Sequence, residues 1–309
     1  MLREALLTVS RNEKIRDLSV SLPVTRDVVH RFVAGEGIPD AVAASADLAA
    51  TGRLATIDRL GEDVLELADA QQTRDDYLTL LDALNANGLC ADTEVSIKLS
   101  AVGQALPGDG EKIALDFARE IAERATQYGT TATLDMEDHT TTDSTLSILR
   151  ELRADFPGTG AVIQAYLYRS EADCRDLAYE GSRVRLCKGA YKEPESVAYQ
   201  SKHEVDLAYV RCLKILMAGD GYPMIASHDP RLVDIAQSLA IHNDRPKGSY
   251  EHQMLFGVRP EEQQRLADQG ERMRVYIPYG QDWYGYMVRR MAEKPANMGL
   301  FLKSLSSKK

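Results

Sequence analysis

Val95-Ser96-Ile97-Lys98-Leu99-Ser100 alternates apolar and polar residues without a break. Successive side chains of an extended strand point to opposite faces. Val95, Ile97 and Leu99 therefore share a face suited to covering helices, and Lys98 turns the other way. The same alternation recurs in Ala132-Thr133-Leu134-Asp135-Met136-Glu137, where Asp135 opposes Leu134 and Met136. It returns with Gln164 in 162–166, Arg185 in 183–187 and Tyr276 in 274–277. Five strands thus carry a polar group on one face, near their C-terminal ends.

Working outward, β-rich runs fall at 53–57, 95–100, 132–136, 161–166, 183–187, 224–227, 250–255 and 274–277. Helical patterns such as 112–128, 144–155 and 194–218 lie between them. This alternation predicts an α/β fold with a closed parallel (βα)8 barrel of the TIM type; a doubly wound open sheet is the competing layout. Barrel enzymes keep their sites at the C-terminal strand ends, where the five polar residues fall. Residues 1–52 read as an N-terminal helical segment packed on the barrel, and 53–309 as the catalytic domain. In the first segment Thr25 is placed to cap a helix carrying Val28, Val29, Phe32 and Val33, which Gly35, Gly37 and Pro39 then break.

Composition narrows the function. Of 309 residues, 44% are hydrophobic and 27% charged, enough apolar material for a sizeable core. A net charge of −10 with no long basic run argues against nucleic-acid binding. Cys90, Cys174, Cys187 and Cys212 form no CxxC and have no His pair at zinc spacing, so they are expected to be reduced thiols. The N-terminus lacks a signal-peptide core, and no apolar run approaches about 18 residues. A cytoplasmic protein without a transmembrane segment is expected, with a peripheral membrane contact left open.

Buried Lys, Asp and Arg are costly unless paired or engaged with a ligand. Lys98, Asp135 and Arg185 form either an internal ion network or a ligand site. Their recurrence at corresponding strand ends favours the site. Arg185-Leu186-Cys187-Lys188-Gly189-Ala190-Tyr191 runs off a strand into a turn. Its positive charges and Gly189 suit an anionic cofactor group, although an ordinary turn also reads this way. After the last strand comes Trp283-Tyr284-Gly285-Tyr286-Met287-Val288-Arg289-Arg290-Met291-Ala292-Glu293, an aromatic-rich helix. Arg289 and Glu293 share a face, and two adjacent guanidinium forks fit a small carboxylate. Together these features predict a cationic pocket in an acidic protein. No GxGxxG, Walker A, HExxH or GxSxG motif is present.

Several pieces in order resemble the proline dehydrogenase family. They are Ser96-Ile97-Lys98-Leu99-Ser100-Ala101, Leu134-Asp135-Met136-Glu137-Asp138, Gln164-Ala165-Tyr166, the run from Arg185 to Tyr191, and Ala226-Ser227-His228. Tyr250-Glu251-His252-Gln253-Met254-Leu255, Arg274-Val275-Tyr276-Ile277-Pro278-Tyr279-Gly280 and the Arg289-Arg290 helix complete the series. The resemblance spans roughly residues 53–303 and implies a distorted barrel that binds FAD non-covalently and oxidises L-proline to Δ1-pyrroline-5-carboxylate. By resemblance, Arg289 and Arg290 clamp the proline carboxylate, with Glu293 their ion-pair partner. Lys98 and Tyr276 form pocket walls, Asp135 orients Lys98 or an arginine, and Leu255 covers the proline ring. Gln164 and Arg185 stand near the flavin ring, with Met136 a neighbour. Lys188, Gly189, Ala190 and Tyr191 wall the ribityl and pyrophosphate groups, and Ser227 and His228 contact the adenine side or a phosphate.

One departure is visible: Ala226-Ser227-His228-Asp229 stands where the family commonly has Ala-Thr-His-Asn. Serine keeps the hydroxyl, whereas Asp229 adds negative charge near the phosphates. The resemblance further implies a monofunctional enzyme that passes electrons to a quinone. A separate pyrroline-5-carboxylate dehydrogenase would take the product. Alternatives that stay open are hydroxyproline as substrate, a Schiff-base aldolase using Lys98 or Lys188, and a non-enzymatic binding barrel.

Overall fold

The structure, a computed structural model, describes residues 29–287. Eight parallel strands form one sheet: β1 Leu54–Arg59, β2 Thr93–Ile97, β3 Ala132–Leu134, β4 Ala161–Gln164, β5 Arg183–Cys187, β6 Tyr222–Ala226, β7 Glu251–Leu255 and β8 Met273–Tyr279. Seven neighbouring pairs are joined by regular ladders, running β3-β2-β1-β8-β7-β6-β5-β4. The last gap, between β3 and β4, is bridged at Gly160. Leu134 N–H donates to Gly160 O and Gly160 N–H to Ala132 O, both at 2.9 Å. A Cβ on Gly160 would lie 2.3 Å from Thr133 Oγ1, so only glycine allows this approach. The expected closed barrel is present, in nearly closed form.

The helices are α1 Ile38–Ala49, α2 Leu67–Ala86, α3 Gly110–Gln127, α4 Thr142–Asp155, α5 Ser170–Leu177, α6 Lys202–Ala218, α7 Pro230–His242 and α8 Pro260–Asp268. In α2, Ala70, Thr73, Tyr77, Leu80, Leu81 and Leu84 are buried, the spacing of one helix face. They pack on Ile57, Val95 and Ile97, which point outward from the barrel. Each fully buried Leu such as Leu81 contributes roughly 2–3 kcal/mol. The main apolar core is thus the layer between strands and helices.

Residues 29–52 close onto β8, where Ala34 N–H donates to Pro278 O at 3.0 Å. Gly37 and Pro39 do more than break a helix: they start α1, with Asp40 accepting from Gly37 N–H at 3.0 Å. Thr25 and Val28 lie outside the described residues. The helical stretch 283–287 does not join the main core. Trp283, Tyr284, Tyr286 and Met287 cluster with Val29, Phe32, Val33 and Leu60, just past the end of β1.

Several boundaries shift by one or two residues, and two differ more. The strand expected over 95–100 ends at Ile97, because Leu99–Val102 coils into a 3-10 turn with a left-handed Gly103 behind it. The helix expected over 194–218 begins at Lys202, where the Ser201 side chain caps it by accepting from Glu204 N–H. Residues upstream bond instead to the end of β4, with Tyr199 N–H donating to Tyr166 O at 2.9 Å and Tyr168 N–H to Val197 O at 3.0 Å.

His252 faces outward from β7 into the helix layer, 1% exposed, with neither ring nitrogen hydrogen-bonded. Burial lowers its pKa, with Glu271, Glu251 and Glu262 opposing and Arg265 assisting. A folded pKa below the unfolded value of about 6.5 means that stability falls as pH drops through that value. His252→Phe keeps the edge-on contact with Tyr250. It is expected to raise stability by about 1 kcal/mol at neutral pH and to flatten the acid slope between about pH 5 and 7. Melting temperatures across that range check this, and an unchanged slope would show that His252 is not the titrating group.

Candidate active site

The register lines up polar residues inside the barrel. Thr56 pairs with Glu94, Asp58 with Ser96, Val162 with Arg185, and Gln253 with Arg274. All share the inward face, where barrels usually carry bulky apolar layers. Four cations, Lys98, Arg183, Arg185 and Arg274, meet four carboxylates, those of Asp58, Glu94, Asp135 and Glu251. The expected cationic pocket is therefore, among the described residues, a balanced ion ring. The interior dielectric is low enough that unpaired charges would not stay there.

At the mouth the ring centres on Asp135. Its Oδ1 accepts from Ser96 Oγ at 2.8 Å and Arg185 Nη1 at 2.7 Å, and its Oδ2 from Tyr276 OH at 2.6 Å. Lys98 Nζ lies 3.9 Å from the same Oδ2 but 2.5 Å from Asp58 Oδ1. Asp135 thus orients chiefly Arg185, and Asp58 holds Lys98. Arg185 Nε donates to Gln253 Oε1 at 2.7 Å, and its guanidinium lies 5.2 Å from the Tyr276 ring centre.

Burial would lower the Lys98 pKa, but Asp58 and Asp135 outweigh it and hold the ammonium above its usual value. Burial pushes the Asp58 carboxyl up, against the pull of Lys98. Burial, then the Asp135 charge, pushes the Tyr276 phenol well above its usual range, so it stays a donor.

The other predicted residues are placed as follows. Gln164 does not join the ring; its amide donates to Glu137 O at 2.6 Å. Met136 is buried just beyond β3. Leu255 ends β7, half-buried, and its N–H donates to His228 Nε2 at 2.9 Å, which puts the His228 proton on Nδ1. Ser227 Oγ accepts from Asp229 N–H at 3.1 Å. Lys188 Nζ is 2.5 Å from Asp206 Oδ1 and 3.5 Å from Asp229 Oδ2, so a phosphate would compete with two carboxylates for it. Asp229 itself caps α7 and pairs with Arg231. Gly189 has φ +108°, and a Cβ there would lie 2.4 Å from the Tyr166 ring. The Tyr166 ring by itself thus requires glycine here. Ala190 and Tyr191 are half-buried. Arg289, Arg290 and Glu293 lie outside the described residues.

Sequence reading missed Asp58, Glu94, Gln253 and Glu193. Asp58 sits one residue past the expected end of β1, in phase with Thr56, a signal that was available. Glu193 fastens the 188–201 loop: its carboxylate accepts from His139 N–H at 2.9 Å and Tyr166 OH at 3.2 Å, and meets the His139 ring. A cavity of about 470 Å³ lies between α1 and α8, beside Leu48 and Phe256, and contains none of these strand-end residues.

Asp135, Cys187, Ala226, Leu255, Tyr276 and the 188–191 turn are partly exposed, whereas the strand interiors are sealed. The partly exposed positions thus mix polar side chains with apolar ones, as small-molecule sites do.

The proline dehydrogenase family model matches residues 41–302. The chain belongs to that family. It is 38% identical over 308 residues to proline dehydrogenase 1 of Bacillus subtilis strain 168, covering both chains in full. It is 39% identical over 305 residues to the proline dehydrogenase of Deinococcus radiodurans, covering 98% and 97% of the two chains. Among solved structures, proline utilization A of Bdellovibrio bacteriovorus inactivated by N-propargylglycine superposes with a TM-score of 0.81 at 27% identity. That match covers 92% of this chain but about a third, 34%, of the other. Among the described residues no helix is long and apolar enough to cross a membrane.

Proposed function

We propose that the protein oxidises L-proline to Δ1-pyrroline-5-carboxylate with FAD at the C-terminal mouth of the barrel. The observation that carries this reading is the Asp135 node, which holds Arg185 and Tyr276 at the strand ends, with Lys98 beside it on Asp58. Family membership and the two bacterial relatives named proline dehydrogenase support it.

Arg289 and Arg290 hold the proline carboxylate, with Glu293 as their partner. Lys98, Tyr276 and Leu255 wall the ring. Arg185, Gln164 and Met136 lie against the flavin ring. Lys188, Gly189, Ala190, Tyr191, Ser227 and His228 hold the ribityl, pyrophosphate and adenosine parts. FAD, when bound, supplies the hydride acceptor for proline C5. The chain's own work is placement, and a fixed near-attack geometry removes much of such a barrier. Asp135, Arg185 and Lys98 supply that rigidity, because each is held by at least two charged or polar partners. Electrons leave for a quinone through a peripheral contact of this cytoplasmic protein with the membrane. A separate pyrroline-5-carboxylate dehydrogenase consumes the product.

Two rival readings meet physical objections. A Schiff-base lysine needs a neutral amine, and Asp58 holds Lys98 as the cation. Hydroxyproline would bring a hydroxyl against Tyr276, whose phenol is pinned to Asp135 at 2.6 Å.

Absorbance spectra of the purified protein, before and after anaerobic L-proline, test the proposal. Flavin bands that bleach are expected. Bands that persist would overturn the substrate, and no flavin after incubation with FAD would overturn the cofactor.

A further inference from the structure

The chain between β1 and α2, residues 60–66, has no regular structure and no ladder to hold it. Asp63 within it takes a left-handed backbone, φ +55°, unusual for a residue with a side chain. Such a conformation persists only where neighbours impose it. Two consecutive amides of the loop end on one residue. Asp63 N–H donates to Ser100 Oγ at 2.9 Å, and Val64 N–H to Ser100 O at 3.1 Å.

Ser100 is in turn held by Glu137. The Glu137 carboxylate accepts from Ser100 N–H at 3.0 Å and from Ser100 Oγ at 2.5 Å. Glu137 is 6% exposed and has no cation within ion-pair distance among the described residues. Its backbone carbonyl accepts from the Gln164 amide, and the Lys98 charge reaches its carboxyl. The catalytic reading assigns Glu137 no task.

We propose that the Glu137 carboxyl, acting through Ser100, holds the β1–α2 loop beside Lys98 and thereby sets the site's affinity for substrate. The affinity part rests on the reading of this site as the proline site. The loop carries Glu62, whose charge reaches both Lys98 and Glu137. Moving the loop therefore changes the field in which Lys98 sits. Glu137 is a positioning residue, since nothing places it on substrate or cofactor.

Burial pushes the Glu137 carboxyl up to about 7, against the pull of the Ser100 hydroxyl and amide and of Lys98, and with a smaller push from Glu62. Hydrogen bonds to an ionised acceptor are roughly twice as strong as neutral ones. The latch is therefore tight above neutral pH. As pH falls through about 7 and Glu137 takes a proton, the latch slackens.

Hydrogen exchange of the holoenzyme, read by mass spectrometry on peptides covering 60–66 and corrected for the intrinsic pH dependence, tests the latch. Ser100→Ala and Glu137→Gln are each expected to speed exchange there about five-fold or more, with the strands unchanged. Wild-type exchange in the loop is expected to rise several-fold between pH 8 and 6, and Glu137→Gln to abolish that rise. Kinetics should show KM for L-proline raised about five- to ten-fold in both variants with kcat within about two-fold. The wild-type KM should climb below pH 7, and that climb should be absent in Glu137→Gln. Unchanged loop exchange in both variants and a flat wild-type profile would overturn the latch. Faster exchange with unchanged KM would overturn its link to substrate. The wild-type pH series needs no variant to fold. The exchange arm stands even if L-proline is not the substrate, so the two failures are distinguishable.

Discussion

Asp135→Ala is expected to lower kcat/KM for L-proline by roughly 10²–10³-fold while the barrel remains folded. Asp135 receives Ser96, Arg185 and Tyr276 and lies 3.9 Å from Lys98. Removing one partner of a buried ion pair typically costs about 3–5 kcal/mol, because the other charge is left uncompensated. Arg185 keeps Glu94 and Gln253, and Lys98 keeps Asp58, so the fold survives. What is lost is the orientation of Arg185 and Tyr276 at the mouth. Asp135→Asn retains one acceptor oxygen and is expected to lose less, about ten-fold. Steady-state kinetics beside circular-dichroism melting separates the two effects. Near-normal kcat/KM in a folded Asp135→Ala protein would remove Asp135 from the centre of the site.

Glu94→Gln acts lower in the barrel and on stability. Glu94 is fully enclosed, with Arg183 at 2.6 Å, Arg185 at 3.5 Å and Arg274 at 3.9 Å, and Thr56 donates to it at 2.8 Å. Burial alone would raise its pKa, but Arg183, Arg274 and Arg185 hold it far below the usual carboxylate range. A depressed folded pKa contributes stability that is present above the unfolded value of about 4.3 and lost as pH falls below it. The amide keeps the shape but leaves three guanidiniums to two remaining carboxylates, Glu251 beside Arg274 and Asp135 beside Arg185. A loss of roughly 3–5 kcal/mol, or about 10 °C in melting temperature, is expected at neutral pH. Thermal unfolding measures it, and a shift under about 2 °C would show that the ring does not depend on Glu94.

Both predictions concern contacts that local sequence reveals only by halves. Period-two alternation exposed Lys98, Asp135, Arg185 and Tyr276, because each interrupts an apolar strand. It could not say which charges meet. Lys98 finds Asp58 40 residues away, and Arg185 finds Glu94 91 residues away. Only the strand register makes those pairs. Glu94 and Arg274 were legible as inward residues, yet they lie deep in the barrel rather than at its mouth, and attention to strand ends passed over them. The helix expected from 194 failed for a different reason. Residues 194–199 have helical composition, but their backbone groups find better partners at Tyr166 and Tyr168. The glycine at 189 was legible as a special position, although its contact with the Tyr166 ring came from another strand's end.

The bridge at Gly160 gives the barrel a mechanical character. Seven of its joints are ladders and the eighth is a pair of hydrogen bonds, so the wall is a split ring rather than a hoop. Asp135 follows the strand on one lip of the split, and Gln164 ends the strand on the other. A small spreading of the lips would part Asp135 from Gln164 and widen the mouth there. Two ties span the split at that point: the Gln164 amide donates to Glu137 O, and Arg185 on β5 pairs with Asp135.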